Sequence, residues 1–102
     1  MQFDWDQANL DHIERHGVTR AEVEEAMAGQ LLYGPPYLRG VEQRASVHGR
    51  TRAGRILKVA FTMRGERLRV VTAHTAKKRE RKVYEQFEKR QGGKASAALE
   101  QS

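Results

Sequence analysis

The chain has 102 residues, a net charge of +6, 38% hydrophobic content and no cysteine. That length suits one domain with a single modest core. The lack of thiols excludes disulfides, thiolate metal sites and cysteine nucleophiles. No apolar run reaches membrane-spanning length and the start has no signal-peptide core, so the expectation is a cytoplasmic protein with no membrane partner.

Charge is unevenly distributed. Residues 1–30 carry seven acids and two bases, residues 31–63 six bases and one acid, and residues 64–90 ten bases and four acids. An acidic start followed by a strongly basic remainder points to a polyanion partner for the basic part. The plainer reading is a solvated basic surface that keeps the protein soluble.

In chain order, Phe3-Asp-Trp5 is a short apolar start, with Trp5 expected in the core. Asp6 can cap a helix carrying Leu10 and Ile13, which Gly17 ends in a left-handed conformation. Thr19-Arg-Ala-Glu22 is a capping box for a second helix, with Val23, Ala26 and Met27 on one face and a stop at Gly29. Leu31–Leu38 is apolar but broken by Gly34-Pro35-Pro36, so it is at most a kinked edge strand. Gln43–Gly49 alternates, with Ala45 and Val47 facing one way and Arg44, Ser46 and His48 the other. A turn at Arg52-Ala53-Gly54 leads to Ile56–Met63, where Leu57, Val59, Phe61 and Met63 share a face. Arg64-Gly65-Glu66 turns the chain into a strand over Arg67–Ala73. A last helix covers about Ala76 to Arg90, with Val83, Tyr84 and Phe87 at packing spacing. Residues 91–102 read as a flexible tail beyond a single domain over 1–90. The expected fold is α+β: an antiparallel meander with two short N-terminal helices and one C-terminal helix. The helices cover one face, and Arg44, His48, Lys58 and Arg69 line the other.

The junction of the last strand and last helix breaks a local rule. Lys77, Lys78, Arg79, Arg81 and Lys82 crowd the first turns of a helix, where the dipole makes each cation unfavourable by about 0.3–1 kcal/mol. An anion such as phosphate would offset this.

The segments Trp5-Asp6, Asn9–Thr19, Glu22–Ala26, Gly49–Thr51, Ala53–Arg55 and Val70–Ala73, followed by Glu80-Arg81 and Tyr84, resemble the BrnT family, within the RelE/ParE-like superfamily of type II toxins. The resemblance runs from about Phe3 to Arg90. It implies a small toxin that cleaves RNA without a metal or other cofactor and arrests translation. It also implies a cognate ribbon-helix-helix antitoxin, bound in a hetero-oligomer that represses its own operon. After the Thr-Ala that ends the last strand the family usually has arginine, whereas this chain has His74. That arginine's role is therefore either lost here or carried by another side chain. The first helix has the shorter His-Ile-x-x-His form found among relatives.

Metal-independent RNA cleavage needs a base for the 2′-hydroxyl, cations on the phosphate and a proton donor for the leaving oxygen. Imidazole ordinarily titrates near pH 6.5 and can serve as either acid or base, which makes His74 the first candidate. Strict strand alternation, however, puts His74 on the apolar face with Leu68 and Val70, where it would only pack. Arg44, Arg50, Arg55, Arg64 and Arg69 can clamp phosphates bidentately or can be plain solvated strand residues. Arg44, Arg69, Lys77 and Tyr84 join His74 in the candidate catalytic set. Arg50, Arg55, Arg64, Lys78, Arg79 and Arg81 form the candidate phosphate-binding set. Tyr84 either stacks on a base or donates a proton, or else it belongs to the core between Val83 and Phe87. Glu80 offsets or orients the cations. His12 and His16 have the i, i+4 spacing of a helical metal pair, but the sequence offers no third ligand, so packing or antitoxin contact is the expectation and no metal site is assigned. Two rival functions remain open. One is a non-catalytic module that binds nucleic acid or protein, as topoisomerase-poisoning toxins do. The other is a decayed toxin.

Overall fold

The computed structural model describes the backbone of residues 1–101 and the side chains of residues 1–91. The backbone continues the last helix through Gln101, past the helix end expected near Arg90, and apart from Gln91 the side chains of the tail expected over 91–102 lie outside the described residues. The order of elements is β1 (Gln2–Phe3), α1 (Gln7–Arg15), α2 (Arg20–Ala28), β2 (Leu32–Tyr33), β3 (Tyr37–Arg39), β4 (Glu42–Arg50), β5 (Ile56–Arg64), β6 (Arg67–Thr75) and α3 (Lys78–Gln101). This is an α+β fold, as expected. Among the described residues no helix is long and apolar enough to cross a membrane.

Local signals set the helix ends. The Asp6 carboxylate accepts from the Asn9 N–H and caps α1. At its other end Gly17 takes φ 71°. The Gly17 and Val18 N–H groups then return to the carbonyls of Glu14 and Ile13, the Schellman arrangement. Thr19 and Glu22 form the reciprocal capping box of α2.

The sheet runs β1-β6-β5-β4-β2, antiparallel except for β1, which pairs in parallel with β6. Pro35-Pro36 splits the expected edge strand in two. Leu32–Tyr33 pairs with the far half of β4, and Tyr37–Arg39 pairs with its start. The split follows from proline having no N–H for the ladder.

Two expectations about the faces are corrected. First, β6 carries a bulge: Ala60 pairs with Thr72 but Phe61 with Val70, so Val71 is the extra residue. Such an insertion reverses alternation beyond it. Leu68, Val70 and Ala73 are buried with Val47 and Val59, while His74 pairs with Lys58 and, through it, aligns with His48. His74 therefore leaves the apolar face that strict parity assigned to it. Second, the helices do not share one face. Ile13, Val18, Val23, Ala26 and Met27, from α1, α2 and their connection, pack on the Val47–Val59–Ala73 face. α3 lies on the opposite face, where Tyr84 packs with Ile56, Ala76, Leu32 and Phe87. Glu80 and Glu88, one turn to either side of Tyr84, meet Lys58 and Arg50 on that same face. The face expected to present free Arg44, His48, Lys58 and Arg69 is thus partly covered.

Close approach of α2 to β4 depends on Gly49. A Cβ there would lie 2.7 Å from the Ala26 carbonyl oxygen and 2.9 Å from Leu31 Cδ2. Along the upper edge of β6, which β1 leaves unpaired, α1 makes three contacts in order: Asp6 with Arg69, His12 with Thr72 and His16 with His74. Covering the edge in this way blocks strand addition.

Candidate active site

The β6–α3 junction is built around Glu80. The Lys77 carbonyl accepts the first helical bond, from the Arg81 N–H, so Lys77 caps α3. The Lys77 N–H donates to Glu80 Oε1 at 2.8 Å, half of a capping box. Glu80 Oε2 lies 3.4 Å from both Lys58 Nζ and His48 Nε2. His48 Nε2 is buried and makes no well-aligned hydrogen bond to Glu80 or to any other group among the described residues. Burial pushes the Glu80 carboxyl up, but the Lys77 N–H and the Lys58 ammonium outweigh it and hold it below the usual 4.5. Glu80 therefore helps cap α3 and ties it to Lys58 on the sheet, and among the described residues its partners include no cationic side chain of the first turn.

His74 stands at the end of β6, half-buried beside Lys58. Its Nδ1 is 3.0 Å from the Thr75 carbonyl oxygen. Since a carbonyl can only accept, Nδ1 carries the proton and Nε2 is the free position in the neutral ring. Across from it lies the α1 pair. The His16 and His74 ring centroids are 6.2 Å apart, and those of His12 and His16 are 5.2 Å apart. His12 Nε2 is 3.2 Å from Thr72 Oγ1. Among the described residues no three histidine, aspartate or glutamate side chains are arranged to hold a metal ion.

The expected arginine clamps are mostly held by the protein. Arg69 donates to Asp6 at 2.7 Å and lies 3.8 Å from Asp4. The Asn9 N–H and Arg69 together lower the Asp6 carboxyl. Arg50 grips Glu88 with Nε at 3.0 Å and Nη2 at 2.7 Å, and its Nη1 closes the β4–β5 turn on the Gly54 carbonyl. Arg44 bonds Glu42. With Arg64 it lines a concavity of about 480 Å³ that also includes Pro36, Phe61 and Met63. That concavity lies at the end of the sheet away from His74. Arg81 donates to the Ala76 carbonyl. Lys77, Lys78 and Arg79 are exposed, and Arg79 borders a second concavity with His48 and Val83.

Tyr84 is 1% exposed and donates its hydroxyl to the Gln30 carbonyl at 2.7 Å. Burial raises its phenol above 10.0, with Glu88 adding and Arg50 opposing. Tyr84 is therefore a core residue with a satisfied hydroxyl, out of reach of a substrate base. Trp5 is half-buried rather than fully enclosed. It stacks on Phe3 and lies 5.8 Å below the Arg20 guanidinium.

Arg55 is engaged beside the histidines. Its Nε and Nη2 donate to Thr75 Oγ1 at 2.9 and 2.6 Å, and its Nη1 donates to the Gly17 carbonyl at 2.7 Å and to Glu22 at 3.0 Å. Burial raises the Glu22 carboxyl, but the Thr19 N–H and Arg55 outweigh it and leave the group lowered. The structure thus places Arg55 on Thr75, next to His74, with the exposed Lys77 and Lys78 following in the chain. It leaves Arg44 and Arg64 at the far end of the sheet and holds Arg50 on Glu88 and Tyr84 on the Gln30 carbonyl. Sequence reasoning missed the approach of His16 to His74. The i, i+4 histidine spacing marked α1 but could not show what it would face.

No curated protein matches the chain. The model of the family described as "Ribonuclease toxin, BrnT, of type II toxin-antitoxin system" matches residues 5–80. With three quarters of its length so matched, on a fold of two N-terminal helices, a mostly antiparallel sheet and a C-terminal helix, the chain belongs to the BrnT family of ribonuclease toxins.

Proposed function

We propose that the protein is a cytoplasmic, metal-independent endoribonuclease toxin that arrests translation by cutting RNA and is held inactive by a cognate ribbon-helix-helix antitoxin in a hetero-oligomer. The observation that carries this reading is the placement of His74. The bulge at Val71 turns it out of the core, next to Lys58 and immediately before the exposed cations Lys77 and Lys78. In this reading His74 exchanges a proton with the substrate while Lys77 and Lys78 bind the phosphate backbone. Arg55, Arg50 and Arg69 serve the framework through their protein partners.

Cleavage of a defined RNA by purified protein in a chelator, with His74→Ala alongside, tests the reading. The variant should lose roughly 10²–10⁴-fold in rate, the usual worth of acid–base catalysis, and should keep its RNA affinity. Equal losses of rate and affinity would remove His74 from the chemistry, and wild-type activity that vanishes with the chelator would overturn metal independence. The rival, a non-catalytic binding module, draws support from the engagement of Arg44, Arg50, Arg55 and Arg69 by protein groups. Folded wild type that binds RNA and never cuts it would select that rival.

A further inference from the structure

Cleavage of an RNA strand through its own 2′-hydroxyl moves two protons. One leaves the 2′-oxygen as it attacks phosphorus, and one reaches the 5′-oxygen as its bond to phosphorus breaks. A single histidine at the end of β6 accounts for one of them. The structure supplies a second imidazole opposite it, on a different element.

His16 caps the C-terminus of α1 and is exposed, at an end where the helix dipole favours a cation. Its ring lies 6.2 Å from that of His74, inclined by 61°. A proton-transfer nitrogen has to come within roughly 2.6–3.2 Å of its oxygen, and two rings in edge contact at this spacing can both reach one phosphodiester laid across them. Among the described residues the side-chain hydrogen bonds of this cluster belong to His12 and His74. Thr72 engages His12, and the His16 side chain makes no hydrogen bond among the described residues. Arg55 holds the two segments in register. It donates to the carbonyl of Gly17, next to His16, and to the hydroxyl of Thr75, next to His74.

We propose that His16 and His74 form a two-histidine acid–base pair for RNA cleavage, with Arg55 as the positioning residue; this rests on the ribonuclease reading above. His74, with Nδ1–H tied to the Thr75 carbonyl, presents the bare Nε2 and removes the 2′-hydroxyl proton. The 2′-oxygen bonds to phosphorus, the bond from phosphorus to the 5′-oxygen breaks, and imidazolium His16 gives its proton to the departing oxygen. The products are a 2′,3′-cyclic phosphate and a free 5′-hydroxyl. Exchange of a proton with water resets the pair. The charged and titratable groups around it are His12 on α1, Lys58 on β5 with His48 and Glu80 behind it, and Arg55 from the β4–β5 turn with its partner Glu22 on α2.

The test uses full-length protein and two substrates: an ordinary RNA, and the same RNA with sulfur replacing the 5′-oxygen at the cleavage site. Sulfur leaves as a thiolate without a proton, so it needs no acid. His16→Gln should lose roughly 10²–10⁴-fold on ordinary RNA and recover on the sulfur substrate, while His74→Gln should fail on both. The wild-type pH–rate profile should be bell-shaped, with its alkaline limb missing in His16→Gln. His16→Asn, a residue that helix C-termini accept, repeats the measurement on a second background. Equal impairment of both His16 variants on both substrates, or no impairment, would overturn the assignment of His16 and leave the ribonuclease reading standing. Wild type that cuts neither substrate would overturn both.

Discussion

Replacing Tyr84 by phenylalanine separates a packed tyrosine from one that serves RNA. The substitution keeps the ring among Ile56, Ala76, Leu32 and Phe87 and removes only the hydroxyl that donates to Gln30 at 2.7 Å. A buried hydrogen bond contributes about 0.5–1.5 kcal/mol net, and an abandoned buried acceptor raises the loss toward ~3 kcal/mol. Gln30 is exposed, so its carbonyl can turn to water, and the expected loss is about 1 kcal/mol. For a domain of this size that lowers Tm by roughly 4–8 °C. Tyr84→Ala, which also empties the ring's space, should lose about 3–5 kcal/mol. Thermal and urea melts measure the stability, and RNA cleavage per folded molecule should be unchanged in Tyr84→Phe. An alkaline series adds an independent reading. Because the native phenol lies above its ordinary 10.0, the unfolded chain releases that proton first. Its contribution to stability is complete below about pH 10 and is lost as pH rises toward the native value. The advantage of wild type over Tyr84→Phe should therefore shrink above pH ~10. An unchanged Tm combined with a large loss of cleavage would refute the core assignment.

Gly49→Ala would ordinarily stabilise a strand residue by about 0.4–1 kcal/mol through the unfolded state. Here the added carbon meets the Ala26 carbonyl at 2.7 Å, so the expected result is a destabilisation of about 1–3 kcal/mol; a melt at or above wild type would contradict the close approach of α2 to β4. Glu80→Gln removes a carboxylate whose native pKa lies below 4.5. That group stabilises the fold above its unfolded value, and the contribution fades as pH falls through the native one. Urea melts should show wild type ahead at pH 7 and the gap closing below about pH 4.5; a gap constant down to pH 3 would remove Glu80 from its hub.

The features legible in the sequence are those whose partners lie within a few residues. The Asp6 cap, the Gly17 stop and the Thr19–Glu22 box act across three or four positions, and the structure shows all three. Alternation in β4 and β5 marked the meander correctly because those strands pair through short turns. The segments that resemble BrnT likewise placed the chain in its family before any geometry was known. His74 was identifiable as a candidate from its residue type and its position before a basic helix. Its orientation was not, since one extra residue at Val71 reverses every side chain beyond it and leaves no compositional trace.

Only the tertiary structure decided which cations are free. The acids that hold Arg69, Arg55 and Arg50 lie 63, 33 and 38 residues away in the chain. Counting charge by segment made the first thirty residues a separate acidic half, whereas folding threads Asp4, Asp6 and Glu22 among the arginines of the sheet and its turns. The same holds for α3, whose docking on the second face buries Tyr84, and for α1, whose course along the β6 edge carries His16 to His74. Sequence alone determined most of the elements, the family and the residue types available for chemistry, because propensity, caps and periodicity are short-range. The neighbours of each ionisable group were settled by packing between distant segments, and a one-dimensional pattern does not contain them.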